Sequence, residues 1–151
     1  MVMQSRRVAP EREVPTVLVV ENEPDQLGLY SRLLQGEGVR IHLAEDCSRA
    51  WELAQKLKSL DLVVADIGLS DGDGRRIVGE LKLKFGCPAL VVSGYTPKHA
   101  SHLLDKDPHE DACGTPEAKN VPPDRWLLKP VDVTQFRNAV RELIARPGTS
   151  R

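Results

Sequence analysis

The stretch DLVVADIGLSDGDG, residues 61–74, decides the fold of this chain. It begins with an apolar run, LVVA at 62–65, without alternating polar residues, which is typical of a strand buried on both faces of a parallel sheet. The run ends at Asp66, and a loop rich in Gly and Asp follows. Ligands of open α/β sheets bind beyond the carboxyl ends of the strands, so Asp66 stands where a reactive group would lie. An Asp here can also cap the next helix or begin a turn, and the residues at the other strand ends decide between these roles.

The rest of the chain repeats the same strand–helix alternation. Apolar and β-branched segments predict five strands, at residues 16–20, 39–43, 62–65, 88–92 and 125–128. A segment of helical periodicity follows each strand, although the fourth, which begins at Thr96-Pro97, has barely two turns. Either Asp46 or Ser48 is expected to begin the second helix. The pattern predicts a doubly wound α/β domain of the flavodoxin-like type, with a five-stranded parallel sheet in the order 2-1-3-4-5.

The length of 151 residues fits one domain. We expect this domain to span residues 15–146, between a disordered lead at 1–14 and a flexible tail at 147–151. Residues 105–124 are rich in proline and charge and show no periodicity. They predict an irregular insertion before the fifth strand, of a length that usually means function or disorder.

The composition is ordinary for a globular protein, with 40% hydrophobic and 28% charged residues. The 21 basic and 22 acidic residues nearly balance, and they form no basic stripe of the kind that nucleic-acid-binding domains carry. No apolar run is long enough to span a membrane. We therefore expect a cytoplasmic protein that binds neither nucleic acid nor membrane.

The three cysteines are odd in number, far apart and without a CxxC motif: Cys47, Cys87 and Cys113. Free thiols in a reducing compartment are the expected state. A zinc site from His99, His102, His109 and Cys113 is the alternative, but the spacing matches no closed zinc motif. We expect these histidines to be solvated.

Residues capable of chemistry follow four of the predicted strands: Glu21-Asn22, Asp66, Ser93 and Lys129. Because parallel strands end at the same edge of a sheet, these side chains are expected to converge in one cleft. They suit phosphoryl transfer to a carboxylate, with Asp66 as nucleophile, Lys129 as the charge on a phosphoryl oxygen and Ser93 as a hydrogen-bond donor. The carboxylates of Glu21 and Asp66, with a backbone carbonyl near Gly68, suit Mg²⁺, which prefers oxygen ligands.

Residues 15–145 resemble the receiver domain of response regulators in two-component signalling. The resemblance rests on four motifs in order: an acidic pair after strand one, D-I-x-L-x-D-x-D-G from Asp66, S-G at Ser93 and K-P at Lys129. It implies that Asp66 accepts a phosphoryl group from a histidine kinase or phosphotransfer protein in a Mg²⁺-dependent reaction. It implies that Lys129 is the pocket lysine and Ser93 the switch hydroxyl, and that a conformational change then reaches an unknown downstream protein.

The resemblance implies further roles. Glu21 and Asn22 take the positions of the metal-pocket pair, beside Asp66 and the Gly68 carbonyl. Trp126, three residues before the lysine, takes the position of the switch aromatic, although a Trp that simply covers the sheet end would look the same. The peptide bond between the lysine and Pro130 is expected to be cis.

One position departs from the family pattern. The second acid after strand one is replaced by Asn22, whose amide oxygen carries no charge, so Mg²⁺ is expected to bind weakly. Two readings stay open: a phosphorylatable receiver with low metal affinity, or a pseudo-receiver that acts as a phosphorylation-independent interaction module.

Enzyme classes with related folds lack support in this chain. A nucleotide- or flavin-binding domain needs a Gly-rich turn after strand one, where this chain has Glu21-Asn22-Glu23. A dehalogenase-like phosphatase needs a nucleophilic Asp at that same place. We expect a phosphoacceptor rather than an enzyme, as a stand-alone receiver that is a monomer or weak dimer, with a fragment of a larger hybrid protein as the alternative.

Overall fold

The computed structural model of the chain describes residues 14–105 and 111–145. The predicted lead, except for its last residue, and the predicted tail lie outside the described residues. So do residues 106–110 of the predicted insertion, and His109 of the zinc alternative with them. Among the described residues, no helix is both long and apolar enough to cross a membrane.

A single five-stranded parallel sheet forms the centre of the molecule. Its strands are β1 (Thr16–Val20), β2 (Arg40–Ala44), β3 (Leu62–Ala65), β4 (Ala89–Ser93) and β5 (Arg125–Leu128). They lie in the order β2-β1-β3-β4-β5, and every pairing is parallel. The predicted strand order is therefore confirmed. Strands β1, β3 and β4 are buried along their whole length, as their unbroken apolar runs predicted, whereas β2 is a partly exposed edge strand.

Five α-helices connect and flank these strands. They are α1 (Pro24–Gln35), α2 (Cys47–Lys56), α3 (Gly74–Phe85), α4 (Pro97–Leu104) and α5 (Val133–Ile144). The side chain of Asp46 accepts a hydrogen bond from the amide of Arg49. Asp46 rather than Ser48 is therefore the N-cap of α2. Helix α3 ends at Gly86, whose φ of 66° is the left-handed conformation that glycine adopts without strain. Helix α4 is short, at eight residues, as predicted.

The helices pack on both faces of the sheet and bury two separate cores. On one face, α1 and α5 meet through Tyr30 and Phe136, whose rings stack with centroids 5.3 Å apart. On the other face, α2, α3 and α4 cover the sheet through residues such as Ala50 and Ile77. This division is what a doubly wound domain requires, and it leaves the carboxyl ends of the strands uncovered at one edge.

The described part of the predicted insertion contains one short regular element and otherwise consists of turns and bends. A 3₁₀-helix spans Pro116–Asn120, and an isolated bridge joins Asp111 to Gly114. Gly79 of α3 lies so close to the carbonyl of Ala118 that a methyl group on Gly79 would overlap it. Docking on α3 therefore holds this segment, and such tertiary contact leaves no periodicity in the sequence for a prediction to find.

The expectation of three free thiols is wrong for two of them. Cys47, the first residue of α2, forms a disulfide with Cys113, and their Cα atoms lie 5.0 Å apart. The two residues are 66 positions apart, and only the docking of the insertion brings them together. Cys87 is unpaired, as predicted. It is also buried, and this burial raises the pKa of its thiol to about 12.

Candidate functional site

The side chains predicted to converge do meet at the carboxyl edge of the sheet. Glu21 follows β1, Asp66 follows β3, Ser93 ends β4 and Lys129 follows β5. The peptide bond between Lys129 and Pro130 is cis, as expected. Parallel pairing of neighbouring strands aligns these ends, since Val20 pairs with the residue before Asp66 and β4 pairs with β5.

Lys129 is the centre of the cluster. Its Nζ lies 3.1 Å from Oε1 of Glu21 and 3.2 Å from Oδ2 of Asp66. Burial alone would lower the pKa of Lys129, but the charges of Asp66 and Glu21 outweigh it, so the pKa lies above its ordinary value. The ammonium group therefore stays charged and links two acids from different strands.

Glu21 is the most deeply buried acid of the cluster. Its residue is fully inaccessible to solvent, and burial raises the pKa of its carboxyl above the ordinary value. A hydrogen bond from the amide of Glu23 to Oε2, at 3.0 Å, offsets part of that increase, and the nearby charge of Asp66 adds to it. A carboxylate in this position needs cationic or hydrogen-bonding partners, because burying an unpaired charge is costly.

The two carboxylate oxygens of Asp66 make different contacts. Its Oδ1 accepts hydrogen bonds from the amides of Ile67, at 2.7 Å, and Gly68, at 3.4 Å, as a turn-forming Asp does. Its Oδ2 faces Lys129. The side chain is thus fixed by its own loop through one oxygen and directed at the cluster through the other.

Ser93 lies beside the cluster rather than within its ion pairs. It is buried, and its Oγ accepts a hydrogen bond of 3.0 Å from the amide of Tyr95. The carbonyl of that same Tyr95 accepts a bond of 2.7 Å from Nε1 of Trp126. One residue of the β4–α4 loop thus joins the predicted switch hydroxyl to the predicted switch aromatic.

Trp126 is partly buried and packs against the α2–α3 core. A cavity of about 160 Å³ lies beside it, and α3, α4 and the insertion form the other walls. Arg75, Ser101, Lys119 and Pro123 are among the lining residues. The indole therefore does more than cover the sheet end, since it forms one wall of a cavity beneath the short fourth helix.

The oxygen atoms at this edge suit a divalent cation of the Mg²⁺ type. Glu21 and Asp66 offer carboxylates, Asn22 an amide oxygen, and Gly68, an exposed residue, a backbone carbonyl. With all three groups ionised, Glu21, Asp66 and Lys129 carry one net negative charge together, so the cluster attracts a cation. The residues present therefore fit such an ion, with one carboxylate fewer than the family pattern because of Asn22.

Two acids beside the cluster had no predicted role. Asp71 lies in a short antiparallel hairpin in which Gly68–Leu69 pairs with Gly72–Asp73; we call residues 68–73 the β3–α3 hairpin. Its carboxylate accepts the amides of Cys47 and Ser48, each at 3.0 Å. Asp111 of the insertion accepts the amide of Asp73 at 3.1 Å. Asp71 is part of the D-I-x-L-x-D-x-D-G motif, but the sequence does not reveal its contact with α2, because that contact depends on the tertiary structure.

This fold and this edge define a class of protein. The sequence profile of the response regulator receiver domain matches residues 17–110, and the chain belongs to this family. The five-stranded sheet order and the helices on both faces agree with that assignment.

Among curated proteins, the chain is 34% identical to the KDP operon transcriptional regulatory protein KdpE of Escherichia coli over 130 residues. The match covers 86% of this chain and 51% of that protein. It is also 30% identical to the sensor kinase CckA of Brucella abortus over 140 residues, covering 87% of this chain and 13% of that protein. The chain thus spans about half the length of the first relative and far less of the second.

Solved structures give the same fold. A two-component response regulator from Clostridium difficile aligns with a TM-score of 0.70 at 22% identity, covering 87% of this chain and 97% of that one. The response regulator TrrA of Thermotoga maritima, solved in complex with Mg²⁺-BeF, aligns with a TM-score of 0.66 at 23% identity, covering 86% and 99%. Receiver domains of this fold thus include one that binds Mg²⁺ together with a BeF group.

Proposed function

We propose that this chain is a phosphorylatable receiver that takes a phosphoryl group onto Asp66 and signals to a protein partner. The observation that carries the proposal is the position of Lys129, whose ammonium lies within hydrogen-bonding distance of both Glu21 and Asp66. A partly buried cation beside a fixed carboxylate is what a nucleophilic Asp needs to receive a group that itself carries negative charge.

The donor in this proposal is a phosphohistidine of a histidine kinase or phosphotransfer protein. A carboxylate oxygen of Asp66 forms the new P–O bond as the P–N bond to the donor histidine breaks, and the histidine keeps the electron pair and takes up a proton. Lys129 then pairs with a phosphoryl oxygen, and the hydroxyl of Ser93 donates to another. The amides that hold Oδ1 of Asp66 keep the carboxylate in place during the transfer.

Glu21, Asn22, Asp66 and the carbonyl of Gly68 would hold Mg²⁺ in this mechanism. When bound, the ion neutralises charge on the phosphoryl oxygens. The contribution of Glu21 is a carboxylate kept in position by the amide of Glu23. Asn22 contributes an uncharged oxygen, so we propose that the metal binds more weakly than it would with an acid at that position.

The proposed output begins at Ser93. Its hydroxyl is bonded to the amide of Tyr95, whose carbonyl is bonded to Trp126. If Ser93 moves towards a phosphoryl group, the Tyr95 backbone and the indole must readjust, because a two-state change requires different contacts in the two states. This supports a signal that is presented to a partner protein at the face of α4, β5 and α5.

The role is that of a stoichiometric phosphoacceptor, so we do not propose an enzyme that acts on a separate substrate. The stand-alone arrangement, the oligomeric state and the cytoplasmic location that the sequence suggested stay predictions.

The test is intact-mass spectrometry after incubation with acetyl phosphate and Mg²⁺. One phosphoryl adduct is expected on the wild-type chain, and none without Mg²⁺ or on Asp66→Asn. Asp25→Asn is the matched control, since it removes an exposed carboxylate from the first turn of α1, outside the cluster, and should leave the adduct in place. An adduct that persists on Asp66→Asn would contradict the assignment of the acceptor.

A pseudo-receiver is the second candidate, and Asn22 is the observation that favours it. In that case the wild-type chain gives no adduct at high Mg²⁺, while Asn22→Asp restores one. Partner binding would then be the same for the wild type and Asp66→Asn.

A further inference from the structure

The insertion is attached directly to the loop that follows the proposed phosphoacceptor. We call residues 111–121 the insertion segment. The carboxylate of Asp111 accepts the amide of Asp73, and the amide of Ala112 donates to the carbonyl of Asp71 at 3.2 Å. Gly72 lies against the Asp111 carboxylate so closely that a side chain there would overlap it. The insertion segment therefore holds the turn and the second strand of the β3–α3 hairpin through hydrogen bonds to the main chain of Asp71 and Asp73.

The same hairpin is attached to α2. The carboxylate of Asp71 accepts the first two amides of α2, from Cys47 and Ser48, and the hydroxyl of Ser48 at 3.1 Å. The disulfide then joins Cys47 to Cys113 of the insertion segment, and Sγ of Cys113 lies 4.0 Å from Oδ1 of Asp71. Hairpin, helix and insertion thus form a closed ring around Asp71, with the disulfide as its covalent member.

The two ends of the insertion segment are held differently. Ala118 is buried against Gly79 of α3, which anchors the 3₁₀-helix by close packing. The preceding residues are held by polar contacts. The amide of Thr115 donates to Glu80 at 3.0 Å near solvent, and the buried Arg76 donates to the carbonyl of Gly114 at 3.2 Å and pairs with Asp111 at 3.6 Å. The disulfide adds the covalent link between these residues and α2. Without the disulfide, residues 111–115 are the part that would separate from the hairpin.

We propose that the Cys47–Cys113 disulfide is a redox-controlled latch on the β3–α3 hairpin. Closed, it holds the insertion segment against the hairpin and fixes the backbone at Gly68, three residues from Asp71. Open, it frees residues 111–115 and loosens the hairpin. The link to phosphorylation rests on the proposed function, because Gly68 lies two residues from Asp66 and offers the carbonyl expected to bind Mg²⁺.

The reaction that opens the latch is thiol–disulfide exchange with a dithiol reductant. A thiolate of the reductant bonds to one protein sulfur as the S–S bond breaks, and the other cysteine leaves as a thiolate and takes up a proton. The second thiol of the reductant then displaces the first protein sulfur, which also takes up a proton. Two electrons and two protons pass to Cys47 and Cys113, and the reductant leaves as a disulfide.

Burial of both cysteines sets the kinetics of this reaction. Each residue is fully inaccessible in the closed structure, so a reductant reaches the sulfurs only after local opening. We therefore expect dithiothreitol to reduce the folded chain much more slowly than the chain in denaturant.

The experiment compares the oxidised full-length chain with the chain reduced by dithiothreitol, using hydrogen exchange followed by mass spectrometry. Exchange at residues 68–73 and 111–115 is expected to rise about tenfold or more on reduction, while exchange in α5 stays constant. Mg²⁺ affinity, from isothermal titration calorimetry, is expected to fall about tenfold, as when an outer partner of a metal ligand is lost. Cys87→Ala is the matched control and should respond to reduction as the wild type does.

A second comparison keeps the test independent of reductant effects. The double variant Cys47→Ser with Cys113→Ser should exchange like the reduced wild type, in the presence or absence of dithiothreitol. Equal hydrogen exchange at residues 68–73 and 111–115 in the oxidised and the reduced wild type would overturn the proposal of a latch. Alkylation of Cys47 and Cys113 in the folded, air-oxidised chain overturns it too, because the disulfide then does not form.

The outcomes for the latch and for the proposed function are separable. Faster exchange on reduction with no phosphoryl adduct in either state supports the latch and counts against phosphorylation at Asp66. An adduct that forms equally in both states, with unchanged exchange, leaves the proposed function standing and removes the latch.

Discussion

The two faces of the sheet are held by different kinds of interaction. The α1–α5 face is apolar, with the stacked rings of Tyr30 and Phe136 at its centre. The α2–α3 face adds to its apolar core a polar border next to the site, in which Asp71 and Asp111 bind backbone amides and a disulfide joins α2 to the insertion segment. The site lies at the edge between them. We therefore expect the α2–α3 face to respond to reduction of the disulfide and to protonation of Asp71, whereas the α1–α5 face rests mainly on apolar packing, with the ion pair of Glu37 and Arg141 beside it.

The largest expected effect is on the apolar face. Phe136→Ala removes a fully buried ring from the stack with Tyr30, and the unfolding free energy should fall by about 4 kcal/mol. Denaturant unfolding of oxidised and reduced protein measures it, and the loss should be the same in both. A loss that depends on reductant would show that the two faces are coupled.

The next effect concerns the covalent link on the polar border. The disulfide closes a loop of 66 residues and so limits the entropy of the unfolded chain. Replacing Cys47 and Cys113 together by Ala removes this constraint and should lower the unfolding free energy by about 3 kcal/mol. The oxidised wild type is the reference, and the reduced wild type should be about as unstable as the variant. If the variant and the oxidised wild type have the same unfolding free energy, the disulfide adds no stability, and the two faces do not differ in this respect.

The smallest effect is a dependence on pH. Burial alone would raise the pKa of Asp71, but the hydrogen bonds from Cys47 and Ser48 outweigh it and leave the pKa below its ordinary value. Because the folded pKa is the lower one, the stability from the Asp71 carboxylate is complete above the unfolded pKa of about 4 and is lost as pH falls through the folded pKa. Asp71→Asn should therefore cost about 1 kcal/mol near neutral pH and much less near pH 2.

Unfolding at several pH values measures this difference. Ser70→Asn, at the exposed neighbouring position, is the matched control and should change little at any pH. A cost for Asp71→Asn that stays constant from neutral to acid pH would mean that the charge of the Asp71 carboxylate is not what stabilises the first turn of α2.

The sequence predicted the sheet and the strand-end residues because both follow from local patterns combined with one topological rule. Once β3 is recognised as a buried parallel strand, Asp66 must lie near the ends of its neighbours β1 and β4, with the end of β5 one strand further on. The contact of Lys129 with two acids is a direct result of that convergence.

The remaining contacts depend on which segments dock on one another, and no local pattern records that. Nothing near Cys47 indicates that its partner is Cys113, because the intervening residues include two strands and two helices that must form first. The bond between Tyr95 and Ser93 involves a backbone amide, which every residue except proline carries, so residue types cannot reveal it. The ordered 3₁₀-helix escaped prediction for a related reason, since Ala118 is fixed by a glycine on another helix.

The ammonium of Lys129 has a consequence best expressed as competition between ions. Its positive charge already pairs with the carboxylates of Glu21 and Asp66, which are the groups that would attract a divalent cation. Any cation must share these carboxylates with a charge that cannot diffuse away. In the proposed receiver, Lys129 would therefore raise the Mg²⁺ concentration needed for half-occupancy of the site, and the uncharged Asn22 would raise it further.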